Sequence, residues 1–347
     1  DPILDTAYQD LEKLRDSLQQ AQERIFEVGL YLTIYGNSRE EIDKVEKLNI
    51  TNGAAVVIDP NSGEILAMVG SKDYNDPDYD GKYNVATALR QPGSAIKPVT
   101  YVTAFKEGFT ASTLIMDVPT TFPGGVGQPD YKPVNYDGKY RGPVQVRYAL
   151  GNSLNVPAVK ILARVGIKDV LRTGFDMGIS TLEPTNENLS RLGLSMTLGG
   201  GEVRLLELVS AFSSFSNGGL RVEPVAILKV VDRDGKVLEE YKKVDGRRIL
   251  TEQQTFLINR ILSDNKARES VFGTSNQLAI SGRSIAVKTG TTDDRRDNWT
   301  VGWGAGSRVV GVWVGNNDNS EMQQVSSGTT GAAPIWRRII VMALSGI

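Results

Sequence analysis

The chain has 347 residues with ordinary hydrophobic (40%) and charged (23%) contents, which argues against wholesale disorder and allows one large domain with a smaller appendage. Its 39 basic and 41 acidic side chains nearly cancel, so no broad basic field favours nucleic acid or anionic lipid as a partner. Because the chain contains neither cysteine nor histidine, disulfides, thiolate nucleophiles, Ser-His-Asp triads and imidazole zinc sites are excluded.

These absences also limit the chemistry. An enzyme of this composition that works by nucleophilic attack must move protons with a lysine, a carboxylate or a second hydroxyl, and we expect no metal and no cofactor. No apolar run reaches the roughly 18 residues of a membrane span, and the acidic start of the chain is not a signal peptide. Of two interpretations, a soluble protein or a chain whose upstream anchor is absent, we prefer the second.

The first elements predicted are helical. An apolar residue recurs every three or four positions over residues 1–28, which predicts an amphipathic helix with one narrow seam. This helix is either a dimerising coiled coil or, as we prefer, a helix packed on its own domain. A strand (Leu30–Ile34) and a helix (Arg39–Leu48) follow, so residues 1–50 form a helical or linker segment before a domain over 51–347. The seam consists of Leu4, Ala7, Leu11, Leu14, Leu18, Ala21, Ile25 and Val28.

The next stretch begins with a hairpin. Two apolar runs within residues 54–70 flank a turn rich in Asp, Pro, Asn and Gly, which is typical of paired strands. A polar loop is predicted over 71–90. A helix then begins near Ser94 and ends at Gly108, and the Pro- and Gly-rich stretch 117–143 is predicted to be irregular.

Helices and strands separate clearly in the remainder of the chain. Helices are predicted at 156–166, 205–217 and 251–264, with a hairpin whose turn is Asp232-Arg233-Asp234-Gly235. Strand signals then follow at 284–289, 299–303 and 309–314, and an apolar helix begins near 333. Strands at both ends with helices between them predict an α+β fold, in which N- and C-terminal strands share one antiparallel sheet and the middle forms a helical subdomain.

Ser94 and Lys97 stand at i and i+3 directly after Pro-Gly, so on a helix they share one face. An unremarkable interpretation makes Ser94 a helix cap and Lys97 a solvated side chain. The functional interpretation makes Ser94 a nucleophile at a helix start, where backbone N–H groups favour a developing oxyanion. Lys97 serves as its base only if burial or a nearby cation lowers the pKa of the amine.

The second motif, Ser153-Leu154-Asn155, carries two polar side chains. Ser153 and Asn155, two apart in an extended loop, point the same way and suit a proton shuttle and an amide that holds a substrate carbonyl. The alternative is that Asn152, Ser153 and Asn155 cap the helix that Pro157 helps to open.

Lys288-Thr289-Gly290-Thr291 ends an apolar strand, where Gly290 leaves room for a ligand backbone to lie as an added strand. Lys288 is then the charge that recognises an anion and the cation that lowers the pKa of Lys97. The alternative is a plain edge strand that runs into a turn.

In this order, Ser-x-x-Lys, Ser-x-Asn and Lys-Thr-Gly resemble the three motifs of penicillin-recognising serine acyltransferases, the fold shared by penicillin-binding proteins and serine β-lactamases. The sequence around these motifs is similar to the transpeptidase domain of class A (bifunctional) penicillin-binding proteins, and the similarity runs from about Gly29 to the C-terminus. The similar stretches are "RQPGSAIKPVTYVTAF", "SLNVPAVKIL", "LGGGEVRLLELVSAFSSFSNGG", "VKTGTTDDRRDNWTVGW" and "GAAPIW".

The resemblance implies a role for each motif residue. It makes Ser94 the acylated nucleophile, Lys97 its base and Ser153 the shuttle to the leaving amine. Asn155 would bind the substrate amide. The terminal carboxylate would be held by Lys288 and Thr289, in a motif that includes Gly290, and the backbone N–H groups of Ser94 and Thr291 would form the oxyanion hole.

The implied activity is D,D-transpeptidation that cross-links peptidoglycan, with stem peptides as donor and acceptor, β-lactams as acylating inhibitors and cell-wall synthesis proteins as further partners. Family members carry an upstream membrane anchor and glycosyltransferase domain, so the expected location is the extracytoplasmic face of the bacterial membrane. Three alternatives stay open: a D,D-carboxypeptidase, a β-lactam sensor, or a β-lactamase in which Glu183 would activate water. Residues 1–28 match nothing in the family pattern.

Overall fold

A five-stranded antiparallel sheet organises the protein. The computed structural model describes residues 48–124, 129–323 and 330–344. Of the predicted N-terminal segment, the helix over 1–28, the strand Leu30–Ile34 and the helix Arg39–Leu48 lie outside the described residues, apart from Leu48 itself. In the described part the strands are β1 Asn52–Ile58, β2 Ile65–Val69, β3 Leu114–Asp117, β4 Gly142–Gln145, β5 Leu220–Arg221, β6 Lys229–Val231, β7 Val237–Glu240, β8 Arg247–Arg248, β9 Ile285–Thr291, β10 Asp297–Gly304 and β11 Val309–Gly315.

The order of strands in the main sheet is β2-β1-β11-β10-β9. The first strand thus pairs with the last, in a register that sets Asn52 against Gly315 and Ile58 against Val309. The hairpin predicted over 54–70 is formed by β1 and β2, and the three C-terminal strand signals became β9, β10 and β11. The predicted α+β fold, with one sheet from both ends of the chain, is therefore confirmed.

Both faces of the sheet are covered. All seven residues of β1 are buried, and they alternate between two cores, with Ala54 and Val56 in one and Ala55 and Val57 in the other. A strand buried on both faces has no reason to alternate apolar with polar residues, which explains the unbroken apolar run in the sequence.

Helices form the two outer layers. The C-terminal helix covers one face so closely that a Cβ on Gly302 would lie 2.3 Å from the ring of Trp336, and on the other face a Cβ on Gly311 would lie 2.2 Å from Val209. None of the described helices is long and apolar enough to cross a membrane. The described helices are α1 Lys97–Lys106, α2 Val146–Gly151, α3 Asn155–Val165, α4 Ile167–Asp176, α5 Asn186–Arg191, α6 Leu205–Ser216, α7 Glu252–Ser263, α8 Asn265–Phe272 and α9 Ala332–Ala343.

The structure differs from the sequence predictions in three places. The α-helix near Ser94 begins at Lys97, because residues 93–96 form a 3-10 turn. The stretch 117–143 is not wholly irregular, since β3 and β4 pair at its ends and Phe122 bridges Tyr131. Short helices such as α2, α5 and α8 escaped the sequence analysis, because helices of one or two turns depend on tertiary packing rather than on a long periodic pattern.

Residues 225–244 do not belong to the compact unit that holds the rest of the described chain. Strands β6 and β7 pair there with Lys229 opposite Glu240. The carboxylate of Asp232 accepts the backbone N–H groups of Asp234 and Lys236, which closes the turn, and Gly235 takes the left-handed conformation that the turn needs. The predicted hairpin at this position is confirmed.

Candidate active site

Ser94 lies in the 3-10 turn that leads into α1. From Pro92 to Phe105 every residue is buried except Ser94, which is half-buried. The carbonyl of Ser94 accepts the backbone N–H of Lys97, which ties the turn to the first residue of the helix. The chain therefore presents one hydroxyl from an otherwise buried segment, an arrangement that suits a fixed nucleophile better than a solvated cap.

Two glycines let the Ser94 turn approach β9. A Cβ on Gly290 would lie 2.2 Å from the carbonyl oxygen of Pro92 and 2.7 Å from the nitrogen of Ala95, and a Cβ on Gly93 would lie 2.5 Å from the carbonyl oxygen of Thr291. The space beside Gly290 is thus filled by the turn. The prediction that this glycine makes room for a ligand was wrong in its reason, because tertiary packing uses that room.

Lys97 is completely buried and points at the loop before α3. Its Nζ lies 2.6 Å from the carbonyl oxygen of Ser153, 3.2 Å from that of Leu154 and 2.7 Å from Oδ1 of Asn155. It also lies 3.4 Å from the hydroxyl of Ser153. The first two motifs, distant in sequence, therefore meet at this amine.

The pKa of Lys97 is lowered well below its ordinary value. Burial is the larger cause and the charge of Lys288 the second, while the carboxylate of Asp293 opposes both. The prediction that Lys288 lowers the pKa of Lys97 is confirmed, although it is not the main cause. A lowered pKa favours the neutral form of the amine, and it is the neutral form that can accept the proton of a serine.

Ser153 joins the two lysines. Its Oγ lies 2.8 Å from Nζ of Lys288 and 3.4 Å from Nζ of Lys97. The backbone of Ser153 is left-handed, with φ of 57°, and α3 begins two residues later at Asn155. The expectation of an extended loop was therefore wrong, although both side chains do reach the same amine. Non-glycine residues adopt this conformation uncommonly.

The amide of Asn155 is held from two sides. Its Nδ2 donates to the carbonyl of Val134 at 2.8 Å while its Oδ1 faces Lys97. The capping alternative is not supported, because the residue at the N-cap is Leu154, which makes no side-chain cap. An amide has two N–H donors, so the second hydrogen of Asn155 is available for a substrate carbonyl.

Two buried residues near the motif residues are Asn152, which the sequence offered only as a helix cap, and Arg268, which it did not single out. The amide of Asn152 donates to the carbonyl of Ala267 at 2.7 Å and accepts from the hydroxyl of Ser270 at 2.8 Å, which ties the Ser153 loop to α8. Burial first, and then the buried cation of Arg268, lower the pKa of Lys288 to about 7. No local pattern marks either residue, because both act through contacts between distant segments.

The Lys-Thr-Gly strand is the edge of the sheet. Among the strands of the described residues β9 pairs with β10 alone, with Thr291 opposite Asn298. The backbone nitrogen of Thr291 lies 2.9 Å from the point where a Cβ on Gly93 would stand, so this N–H group is beside the Ser94 turn. Thr289 is buried, and its carbonyl accepts from Nζ of Lys288 at 2.7 Å. The free edge leaves backbone groups for an added strand.

The structure brings all three motifs together, with two qualifications. The hydroxyl of Ser94 is not among the groups within hydrogen-bonding distance of Lys97 in the described part of the chain, and such contacts often tighten only when substrate binds. Glu183 is exposed, and its described hydrogen bonds all use its backbone, with Ser180, Thr185 and Asn188 as partners. Nothing there supports Glu183 as the water-activating glutamate of a β-lactamase.

Comparison with known sequences agrees with the geometry. Residues 53–340 match the family described as the penicillin binding protein transpeptidase domain. Penicillin-binding protein 1A of Aquifex aeolicus is 37% identical over 302 residues, which cover 87% of this chain and 38% of that protein. The chain spans well under half the length of this curated relative.

Solved structures give the same result for the fold. Penicillin-binding protein 1A from Haemophilus influenzae has a TM-score of 0.73 and 26% identity over 85% of this chain and 48% of that chain. The PonA1 protein of Mycobacterium tuberculosis, solved in complex with penicillin V, has a TM-score of 0.70 and 22% identity over 88% of this chain and 83% of that chain.

Proposed function

Because the chain belongs to the penicillin-binding protein transpeptidase family, we propose that it is a serine D,D-transpeptidase that cross-links peptidoglycan stem peptides through an acyl-enzyme. The observation that carries the proposal is the pairing of one accessible hydroxyl, Ser94, with a buried lysine three residues later whose pKa is lowered. This pairing performs without histidine what a serine-histidine pair does elsewhere.

Acylation uses the first two motifs. The Oγ of Ser94 attacks the carbonyl carbon of the penultimate D-Ala, and its proton passes to the neutral amine of Lys97. The backbone N–H groups of Ser94 and Thr291 stabilise the oxyanion that develops. When the peptide C–N bond breaks, the leaving nitrogen takes a proton through the hydroxyl of Ser153, and the terminal D-Ala departs from an ester on Ser94.

Deacylation reverses these steps with a different amine. An amine of a neighbouring stem peptide attacks the ester carbonyl, loses a proton to the same lysine and hydroxyl, and forms the cross-link. Ser94 recovers its proton as the C–O bond breaks, so the cycle leaves the enzyme unchanged. Hydrolysis by water at this step would make the protein a carboxypeptidase.

The donor peptide lies along the free edge of β9. Lys288 and Thr289 hold its terminal carboxylate, and the remaining amide hydrogen of Asn155 donates to a substrate carbonyl. Gly290 serves by bringing β9 against the Ser94 turn, because that close approach sets Thr291 beside Ser94. Specificity for an anionic peptide end thus comes from a buried cation next to a row of backbone groups.

β-Lactams are the inhibitors expected for this site. A strained lactam amide with a nearby carboxylate presents the same two features as the end of a donor peptide, so it acylates Ser94 and leaves an ester that amines reach slowly. The M. tuberculosis relative was solved with penicillin V. Peptidoglycan lies outside the cytoplasmic membrane, so we place this domain on the extracytoplasmic face of a bacterial cell.

The experiment that tests the proposal is intact-mass analysis after incubation with benzylpenicillin, followed over hours, with Ser94→Ala in parallel. One lasting adduct that the variant lacks is expected. A second assay supplies a D-Ala-D-Ala stem peptide with and without an added amine. Transfer to the amine supports a transpeptidase, release of free acid alone indicates a carboxypeptidase, rapid loss of the penicillin adduct indicates a β-lactamase, and acylation without peptide turnover indicates a sensor.

A further inference from the structure

A buried asparagine outside the three motifs caps the helix that carries Asn155. Asn135 is 3% exposed, and its Oδ1 accepts the backbone N–H groups of Asn155 at 2.8 Å and Val156 at 3.2 Å. These are the first two residues of α3, whose N–H groups have no partner inside the helix. The side chain of Asn135 therefore does the capping that Leu154, at the N-cap itself, cannot do.

The orientation of the Asn135 side chain is fixed by the buried carboxylate of Asp117. Asp117, completely buried in β3, accepts the Nδ2 of Asn135 at 2.8 Å and 3.0 Å with its two oxygens. The same Nδ2 also donates to the carbonyl of Lys139 at 2.8 Å. A carboxylate only accepts hydrogen bonds, so the amide nitrogen must face Asp117 and the amide oxygen must face the helix.

Val134, the residue before Asn135, accepts a hydrogen bond from the side chain of Asn155. The carbonyl of Val134 accepts Nδ2 of Asn155 at 2.8 Å, while Asn135 holds the backbone of the same residue at 2.8 Å. Residues 134 and 135 thus accept hydrogen bonds from both the side chain and the backbone of Asn155. The Oδ1 of the same amide accepts from Nζ of Lys97 at 2.7 Å.

We propose that Asn135 is a positioning residue of the active site, which is anchored by Asp117 and acts through Asn155 to set the amide of Asn155 relative to Lys97 and Ser94. The inference rests on the proposed function, because the step that Asn135 is proposed to support is the acylation of Ser94. A displacement of reacting groups by about 1 Å can slow a reaction about a hundredfold, and the two hydrogen bonds that fix Asn155 are the ones that prevent such a displacement.

A double-mutant cycle separates this role from a general structural one. Rate constants for acylation by benzylpenicillin are measured for the natural protein, Asn135→Ala, Asn155→Ala and the double variant. We expect Asn135→Ala to slow acylation by about 10- to 100-fold, and to slow it less than about threefold further when Asn155 is already alanine. Effects that multiply fully in the double variant would overturn the proposal, because they would show that Asn135 does not act through Asn155.

An exchange of the two partners keeps the test valid if Asn135→Ala folds poorly. Asn135→Asp puts a second carboxylate against Asp117, whereas Asp117→Asn combined with Asn135→Asp restores one charge and keeps an acceptor at the helix. The combined variant is expected to acylate on the order of tenfold faster than Asn135→Asp alone. If the combined variant acylates no faster than Asn135→Asp alone, the proposal that Asp117 anchors Asn135 is wrong.

Asn259 is the matched control. It also joins two elements through its amide, donating to the carbonyl of Phe215 and accepting from Nε1 of Trp303, both at 2.8 Å. Asn259→Ala should lower the melting temperature and leave the acylation rate unchanged. If Asn135→Ala behaves in the same way, the role of Asn135 is structural only and the proposal fails.

Failure of the inference is distinguishable from failure of the proposed function. If the function is wrong, the natural protein forms no adduct or Ser94→Ala still forms one. If only the inference is wrong, the Ser94 adduct forms normally and the Asn135 variants match the control.

Discussion

The amine of Lys288 lies 2.8 Å from the hydroxyl of Ser153, although 135 positions separate the two residues in the chain. Lys97 lies 3.4 Å from the same oxygen, so one hydroxyl stands between two buried amines. Each amine has its pKa lowered by burial, and Lys288 lowers that of Lys97 further. Lowered pKa values favour the neutral form of each amine, and a neutral lysine is the form that can act as a base.

The first prediction concerns the pH dependence of acylation. We expect the second-order rate constant for benzylpenicillin to fall as pH rises through about 7, because the pKa of Lys288 is lowered to about 7 and only its protonated form attracts the carboxylate of the drug. The measurement is stopped-flow or quench kinetics of the Ser94 adduct from pH 5 to 9. The methyl ester of the drug lacks the carboxylate and should show no such fall; an equal fall with the ester would rule out Lys288 as its cause.

The second prediction concerns stability. In the unfolded chain Lys288 binds a proton up to its ordinary pKa of 10.5, whereas in the folded protein it loses the proton at about 7. Between these values the unfolded state binds more protons, so the free energy of unfolding rises with pH, by at most about 1.4 kcal/mol per pH unit.

Lys288→Met should remove this contribution to the slope. Urea unfolding at pH 6, 8 and 10 measures how the free energy of unfolding changes with pH. Ser94→Ala leaves both lysines in place, so it should show the same pH dependence as the natural protein. A slope that Lys288→Met leaves unchanged would mean that the buried amine is not the group that titrates.

The third prediction concerns the close approach of β9 to the Ser94 turn. Gly290→Ala should destabilise the protein by about 3 kcal/mol or more, because the added Cβ would stand 2.2 Å from the carbonyl of Pro92. It should also slow acylation at least about a hundredfold by moving Ser94 away from Thr291. Gly193 is the control, since its φ is −96° and nothing lies within 4 Å of a Cβ there. Gly193→Ala should change the stability by less than about 0.5 kcal/mol, and similar losses in both variants would refute the explanation.

The fourth prediction separates the chemistry of Ser153 from its backbone. Ser153→Ala and Ser153→Gly both remove the hydroxyl and should slow acylation equally. Because φ is 57° at this position, the glycine variant should be about 1 kcal/mol more stable than the alanine variant. Acylation rates and thermal unfolding of the two variants measure this. Acylation by either variant at the natural rate would remove Ser153 from the proton path.

The chain order of polar motifs and apolar runs was enough to predict much of the site. The sequence alone points to Ser94, Lys97, Ser153 and Lys288, because each stands in a short motif whose residue types limit the possible chemistry. The hairpin β1-β2 and the three C-terminal strands were also predictable, since an apolar run between turn residues is a local signal.

Other features needed the tertiary structure. Asn135, Asn152 and Arg268 belong to no motif, and their roles come from contacts with segments distant in sequence. Sequence could propose that Lys97 is a base, but the lowering of its pKa comes mainly from complete burial, which is a property of packing.

Sequence thus determined which residue types are available for the chemistry and the order in which the elements follow, because both are local properties of the chain. The tertiary structure decided which of those side chains meet, how far each is shielded from water, and that Gly290 serves close packing rather than a ligand. These depend on distances between segments, and spacing along a sequence does not fix such distances.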